Sequence, residues 1–335
     1  MTHDKKLVAF LTWIIALGLL VWVARSVPLA ATWGALRRLD GWAILALVGM
    51  NILVLLALNG RWWLILNGFG YQLPFFNLLG HRLASFGVSY FTPGPQFGGE
   101  PVQVLLIERL HNVPRETAVA SVALDKTLEL LINFTFLLGG VTAVLQGQLL
   151  LNNQVGNEAV LFALGLLALP MLYLFAIWQG KSPISGLFTF LYPQIGSEKS
   201  VKPVDKIVPK LFHAIQEGET KASQFCQESP AAFWWAFAIS VVGWGLIIAE
   251  FWLMLTFLGI VLTPLQVVGM LTAARIAFLL PLPGGLGTLE ASQVLALAAM
   301  EKETAVGISV TLLIRLRDVL LGLFGLWWAA KKLKQ

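Results

Sequence analysis

Five stretches of this chain carry almost no charge. Residues 7–24, 41–60, 130–157 and 159–180 contain no Asp, Glu, Lys or Arg, and 229–274 contains only Glu250. A helix needs ~20 predominantly apolar residues to cross the hydrocarbon of a bilayer, and each run approaches or exceeds that length. Hydrophobic residues make up 57% of the 335 and charged residues 12%, about half the roughly 25% charge of a soluble domain. No period-two alternation runs through these segments, which argues against a barrel. The expected fold class is an all-α polytopic membrane protein, one integral domain over residues 1–335. Lys5-Lys6 precede an apolar run too long for an ordinary signal core, and no small-residue cleavage site follows before Arg25, so a retained first helix is expected.

Two of the apolar regions are interrupted in the same way, by "FTPGPQFGGEP" at 91–101 and "LPLPGGLGTLEAS" at 280–292. Pro74 and Pro264, Pro93 and Pro283, Gly94 and Gly284, and Glu100 and Glu290 each stand 190 residues apart. One gap later, Lys126 matches Arg315 and Glu129 matches Asp318. These matches define an internal repeat, with copy one at 1–150 and copy two at 159–335. Each copy has two spans (7–24 and 42–60; 159–178 and 231–258), an interrupted region (74–112; 264–300) and a long helix (115–146; 304–330). If each interrupted region is a re-entrant hairpin of half-helices broken at Pro-Gly, a copy crosses three times. The chain then has six full spans, two re-entrant hairpins and inverted topology.

Lysine and arginine favour the cytoplasmic side. With the N-terminus inside, the cytoplasmic pieces are Lys5-Lys6, Arg61, the Arg109/Arg115 turn, the loop 181–229 with six lysines, and the tail "KKLK" at 331–334. The outer pieces 147–158 and 259–263 carry no Lys or Arg. Arg37 and Arg38 dissent, and an interfacial amphipathic helix at 26–42 accounts for them. Both termini are therefore expected in the cytoplasm. The loop 181–229 is too short for an ordinary catalytic domain and is expected to hold amphipathic helices. Cys226, the single cysteine, falls in this polar loop and excludes an intrachain disulfide. The net charge of +5 comes from scattered lysines without interleaved aromatics, which sets orientation and excludes a nucleic-acid partner.

A Pro-Gly pair ends a helix, and backbone freed at membrane depth must be satisfied by protein or by a water-lined cavity. Simple kinks are the plainer explanation of such breaks. Matched glutamates raise the functional one, because an acid in the bilayer costs ~2.5 kcal/mol or more unless paired or hydrated. Helix restarts near Glu100, and after Gly284-Gly285 with Thr288 as N-cap and Glu290 in the first turn, would offer free amides to phosphate-like anions. Arg82 and Arg275, with no acid at short helical spacing, are the candidate phosphate ligands. Pro93, Gly94, Glu100, Pro283, Gly284, Gly285 and Glu290 complete the candidate binding set. Lys126–Glu129 and Arg315–Asp318 share helix faces at three-residue spacing and read as structural ion pairs, or else as walls of a polar cavity. Glu250 stands alone in a span.

No H-x-x-x-H or C-x-x-C pattern occurs, so no metal site is expected. No P-loop occurs, so ATP does not drive events within this chain. No cofactor is expected, and the tryptophan pairs at span ends read as aromatic belts.

The segments "YFTPGPQFGGEPVQVLLIERL", "ASVALDKTLELL" and "PLPGGLGTLEASQV" resemble the lysylphosphatidylglycerol synthase transmembrane-region family of flippase-like membrane proteins. That family includes the lipid-translocating half of multiple peptide resistance factors and membrane parts of some archaeal glycosyltransferases. Its acidic–Arg pair in the first long helix is matched here by Asp125-Lys126, which keeps the charge and loses the guanidinium fork. No aminoacyl-transferase domain is expected in this chain, so the resemblance implies lipid handling without lysyl transfer. The expected function is binding and translocation of an anionic phospholipid or polyprenyl-phosphate-linked lipid in a prokaryotic cytoplasmic membrane. The alternatives are an accessory subunit presenting lipid to a separate synthase or glycosyltransferase, and a stand-alone enzyme, for which no nucleophile, base or metal constellation appears.

Overall fold

The computed structural model describes residues 39–92, 98–146, 153–191, 204–280, 283–302 and 304–333, with Gly34 and Arg37. The expected span at 7–24, most of the expected interfacial helix, and Pro93 and Gly94 lie outside the described residues. Among the described residues every regular element is helical. In chain order they are α1 (Gly41–Gly68), α2 (Phe75–Phe91), α3 (Glu100–His111), α4 (Arg115–Gln146), α5 (Asn153–Trp178), α6 (Pro183–Leu191), α7 (Val204–Glu228), α8 (Pro230–Phe257), α9 (Pro264–Leu279), α10 (Thr288–Ala299) and α11 (Ala305–Lys332), with a single 3-10 turn at Pro283–Gly285.

Local signals set several ends. Asp40 caps α1 by accepting the Ala43 amide at 2.7 Å. Thr263 and Gln266 form a capping box before α9, with Pro264 in the first turn. α3 stops at Asn112, which takes the left-handed conformation at φ 53°.

Among the described residues four helices are long and apolar enough to cross a membrane: Gly41–Gly68, Arg115–Leu145, Asn157–Trp178 and Pro230–Phe257. α11, at 28 residues, rises about 42 Å, yet Arg315, Arg317 and Asp318 near its middle set it apart in composition. Its faces explain the charge. Leu316, Leu320, Phe324 and Trp327 are exposed, whereas Arg315 and Asp318 are buried, so the helix turns its polar stripe inward. α2, α3, α9 and α10 have 17, 12, 16 and 12 residues. Each rises about 25 Å or less, short of a ~30 Å hydrocarbon layer.

The most extensive packing runs between α1 and α8 and between α2 and α11. α2 also lies on α3 and α9 on α10, while α4 touches α1, α3, α5, α7, α8 and α9. Helices approach closely where glycine permits. A Cβ on Gly325 of α11 would run into the backbone of Leu83 and Ala84 in α2, a contact that in lipid depends on small residues.

The 181–229 region contains α6 and α7. The Glu219 carboxylate of α7 accepts the Ile184 and Ser185 amides at 2.7 and 3.0 Å and the Ser185 hydroxyl at 2.5 Å, so one helix caps the N-terminus of another. Cys226 is not in an open polar loop. It is buried in α7 beside the Ile65 cluster, and burial pushes its thiol up to about 12.

Replacing Gly325 by Ala is expected to lower stability by ~1–3 kcal/mol, the cost of overpacking, read as a drop in melting temperature in detergent. Gly139, whose Cβ would meet nothing within 4 Å, is the control: its Ala variant should be neutral or more stable.

Candidate functional site

A cavity of about 300 Å³ lies among α1, α2, α3, α4, α8, α9 and α11, at the lower end of the range for ligand pockets. Its wall is unusual for an apolar protein. It carries Arg82, Lys126, Arg275 and Arg317 together with Glu100, Asp125, Glu129, Glu250 and Asp318.

One ion-pair network centres on α4. Asp125 accepts Arg61 Nε at 2.7 Å, and Arg82 Nη2 sits astride both of its oxygens at 2.8 and 2.7 Å. Glu129 accepts Arg61 Nη2 at 3.1 Å and Lys126 Nζ at 2.8 Å. Lys126 also stands 3.4 Å from Glu100, the first residue of α3. The second network centres on α11. Arg317 binds Asp318 and Glu250, both at 2.9 Å, and Asn51 donates to Glu250 at 3.1 Å. Arg315 forks onto Glu290 at 2.5 and 2.7 Å and donates to the Gly284 and Gly285 carbonyls at 3.2 Å each.

Arg275 differs from the other five cations. Among the described residues it forms no ion pair. Its guanidinium lies 4.7 Å from the Trp244 ring centroid, and its buried Nε has no hydrogen-bond partner in the protein. The inward-facing set is nonetheless balanced, with Arg61, Arg82, Lys126, Arg275, Arg315 and Arg317 against Glu100, Asp125, Glu129, Glu250, Glu290 and Asp318.

The expected Lys126–Glu129 pair is present. The expected Arg315–Asp318 pair is not, because Glu290 offers Arg315 a fork from α10 while Asp318 is engaged by neighbouring Arg317. Arg82 and Arg275 both line the cavity, but Arg82 is not a bare cation: Asp125, 43 residues away, holds its Nη2. The glycine amides just before the two restarted helices are taken. Glu100 accepts the Gly98 amide at 2.7 Å, Glu290 accepts the Gly287 amide at 2.9 Å, and Ser89 takes the Gly99 amide at 2.9 Å. Thr288 does not cap α10. Its hydroxyl donates to the Ala277 and Gly285 carbonyls while Gly287 holds the cap position. Glu100 faces the cavity and Glu290 does not line it. Gly284 and Gly285 adopt φ of 53° and 61°, which glycine alone does at little cost.

Sequence reading placed Arg61 at the cytoplasmic edge, whereas it is fully buried because α1 continues to Gly68. The apolar residues Leu64, Ile65 and Leu66 after it were the signal. Glu250 has a partner in Arg317. Gln103 lines the cavity and Gln293, 190 residues on, is buried against the Met270 carbonyl at 3.0 Å. Among the described residues no three His, Cys, Asp or Glu side chains are grouped to hold a metal ion.

Asp125 neutralises two arginines at once, so Asp125→Asn should cost ~3–5 kcal/mol, as removal of one partner from a buried pair does. Thermal unfolding in detergent reads the loss, and an unchanged melting temperature would contradict the hub.

The family model described as Lysylphosphatidylglycerol synthase TM region matches residues 9–325. The chain is similar to the UPF0104 membrane protein of Methanocaldococcus jannaschii, 23% identical over 299 residues, which cover 84% of this chain and 81% of the relative. It is also similar to the UPF0104 membrane protein of Pyrococcus horikoshii, 26% identical over 286 residues, 84% of each chain. No solved structure matches the chain significantly. With four membrane-length apolar helices in an all-helical fold and a family match over nearly its whole length, the chain is an integral membrane protein that belongs to the lysylphosphatidylglycerol synthase transmembrane-region family.

Proposed function

We propose that this protein binds a phosphate-bearing lipid in the charged cavity and moves its headgroup across the membrane without altering it. The observation that carries this reading is the cavity itself: ionised groups from α2, α3, α4, α8, α9 and α11 face one space inside an apolar helical body. Charges are costly at membrane depth, and a wall of paired ions around a cavity is a path that a hydrated headgroup can follow where lipid tails cannot.

Two inverted copies support movement between two sides. α1–α4 and α8–α11 occur in the same order, each a long helix, a short pair about a break, and a second long helix. In both, the glutamate in the first turn of the helix after the break does two jobs. It accepts a glycine amide just before that helix and pairs with a cation of the following long helix, Lys126 in one copy and Arg315 in the other. The spans are also tied to the long helices in the same way with the signs exchanged: Arg61 binds Glu129, and Glu250 binds Arg317. On this reading α2–α3 and α9–α10 are re-entrant hairpins and both termini face the cytoplasm. A topology reporter fused after Gln335 should report a cytoplasmic location, and an external one would refute the inverted arrangement.

Liposomes containing the purified protein and a labelled phospholipid test the function. The outer-leaflet label should become inaccessible, or the inner-leaflet label accessible, several-fold faster than in protein-free vesicles. Equal rates would reject translocation and leave presentation of lipid to a separate synthase or glycosyltransferase as the role.

A further inference from the structure

We infer that the ligand enters this cavity as a phosphate ester accompanied by one positive charge of its own or from solution, and never as a bare anion. The inference rests on the proposed lipid-binding role and specifies what that site accepts. Two features of the wall require it.

The first is the free hydrogen-bonding capacity. Among the described residues, Arg275 Nε, Arg82 Nε, Gln103 Nε2 and Asn133 Oδ1 are buried polar atoms without a protein partner, and all four residues line this cavity. A guanidinium N–H can only donate, so the two arginines call for an acceptor, and a phosphate oxygen supplies a charge-assisted one. The amides of Gln103 and Asn133 can present either edge. Gln103 is buried, at 5% exposure, and lines the cavity, whereas its counterpart Gln293 lies outside the lining and donates its Nε2 to the Met270 carbonyl.

The second is the charge balance. The inward-facing set is already neutral, and Arg317 faces two carboxylates, Glu250 and Asp318, at 2.9 Å each. Arg275 balances the second of these without touching it. A phosphate drawn to Arg275 therefore uncovers that carboxylate, and an uncompensated charge in a low-dielectric interior is costly. Glu100 and Glu129 have side chains 25% and 35% exposed, so a cation arriving with the phosphate meets carboxylate on the same wall. The positive charge has two sources of the same chemistry: an ammonium within a zwitterionic headgroup, or a sodium ion or proton taken up with an anionic one.

Calorimetry on the detergent-solubilised full chain separates them, using short-chain zwitterionic and anionic phospholipids in sodium buffer and in a large organic-cation buffer, with proton uptake read from the buffer dependence of the enthalpy. The inference holds if the zwitterionic lipid binds roughly tenfold tighter, about 1.4 kcal/mol, or if the anionic lipid binds only with uptake of about one sodium ion or proton. Glu250→Gln removes one negative charge while Asp318 still holds Arg317, so it should let the anionic lipid bind roughly tenfold tighter and without the cation. Arg275→Gln should weaken both lipids. Equal, cation-independent binding of the two lipids, unchanged by Glu250→Gln in a protein that keeps its melting temperature, overturns it and leaves the four atoms as merely hydrated. These are binding measurements, so a failure of lipid movement in vesicles leaves them standing, and their failure leaves movement standing.

Discussion

An ionised side chain in an apolar helical body loses several kcal/mol of hydration, and proximity to an opposite charge returns it only when the geometry is close. Six carboxylates and six cations face inward here, and eleven of the twelve are in direct ion pairs. Their positions decide which helices can neighbour which. Arg61 is completely buried and can be so only if Asp125 and Glu129 are beside it. α1 is thereby fixed against α4 and, through Asp125, α4 against Arg82 of α2. Apolar packing between lipid-like surfaces has little preference for register; the ion pairs supply that preference.

The same constraint shapes α11. A helix with two arginines and an aspartate near its middle would be a poor span alone, yet its exposed side carries Leu316, Leu320, Phe324 and Trp327. The charged stripe becomes tolerable because Glu290 and Glu250 arrive from α10 and α8. A helix with such a stripe is tolerated in lipid only as part of the assembly, because the charges depend on partners from other helices.

Much of this was legible in the sequence. Long uncharged runs mark α1, α5 and α8, and the Pro-Gly breaks mark the gaps after α2 and α9 within a residue or two. The pairing of charges was not. Spacing along one helix assigns Arg315 to Asp318, and it finds no partner for Arg82 or Glu250. The partners that matter lie 64 residues apart in Arg61–Asp125, 67 in Glu250–Arg317 and 25 in Glu290–Arg315, separations at which no local periodicity carries information. Arg61 was misplaced for a related reason. A charge at the end of twenty apolar residues reads as a span boundary, and only the fold reveals that the helix runs on past it. Gln103 and Gln293 obey the 190-residue offset, but a neutral amide in an apolar stretch gives no electrostatic signal by which to weigh it.

The second break shows how these demands depend on one another. Backbone that leaves helical geometry has carbonyls without helical partners, and those of Gly284 and Gly285, both residues at positive φ, turn to the same guanidinium. A single guanidinium suits them because it has donors left over after forking onto a carboxylate; a lysine, with a point charge and no planar fork, would satisfy fewer. But Arg315 in that place needs a counter-charge, and Glu290 supplies it while its other role, accepting the Gly287 amide, starts the next helix. Glycine permits the turn, the arginine satisfies the carbonyls, and the glutamate makes the arginine tolerable and restarts the helix. Removing any one leaves the other two without a partner. In the first break Lys126 stands 3.4 Å from Glu100, a looser contact. The two breaks thus differ in how they are held: the second by a forked guanidinium that also takes two carbonyls, the first by one longer ion pair.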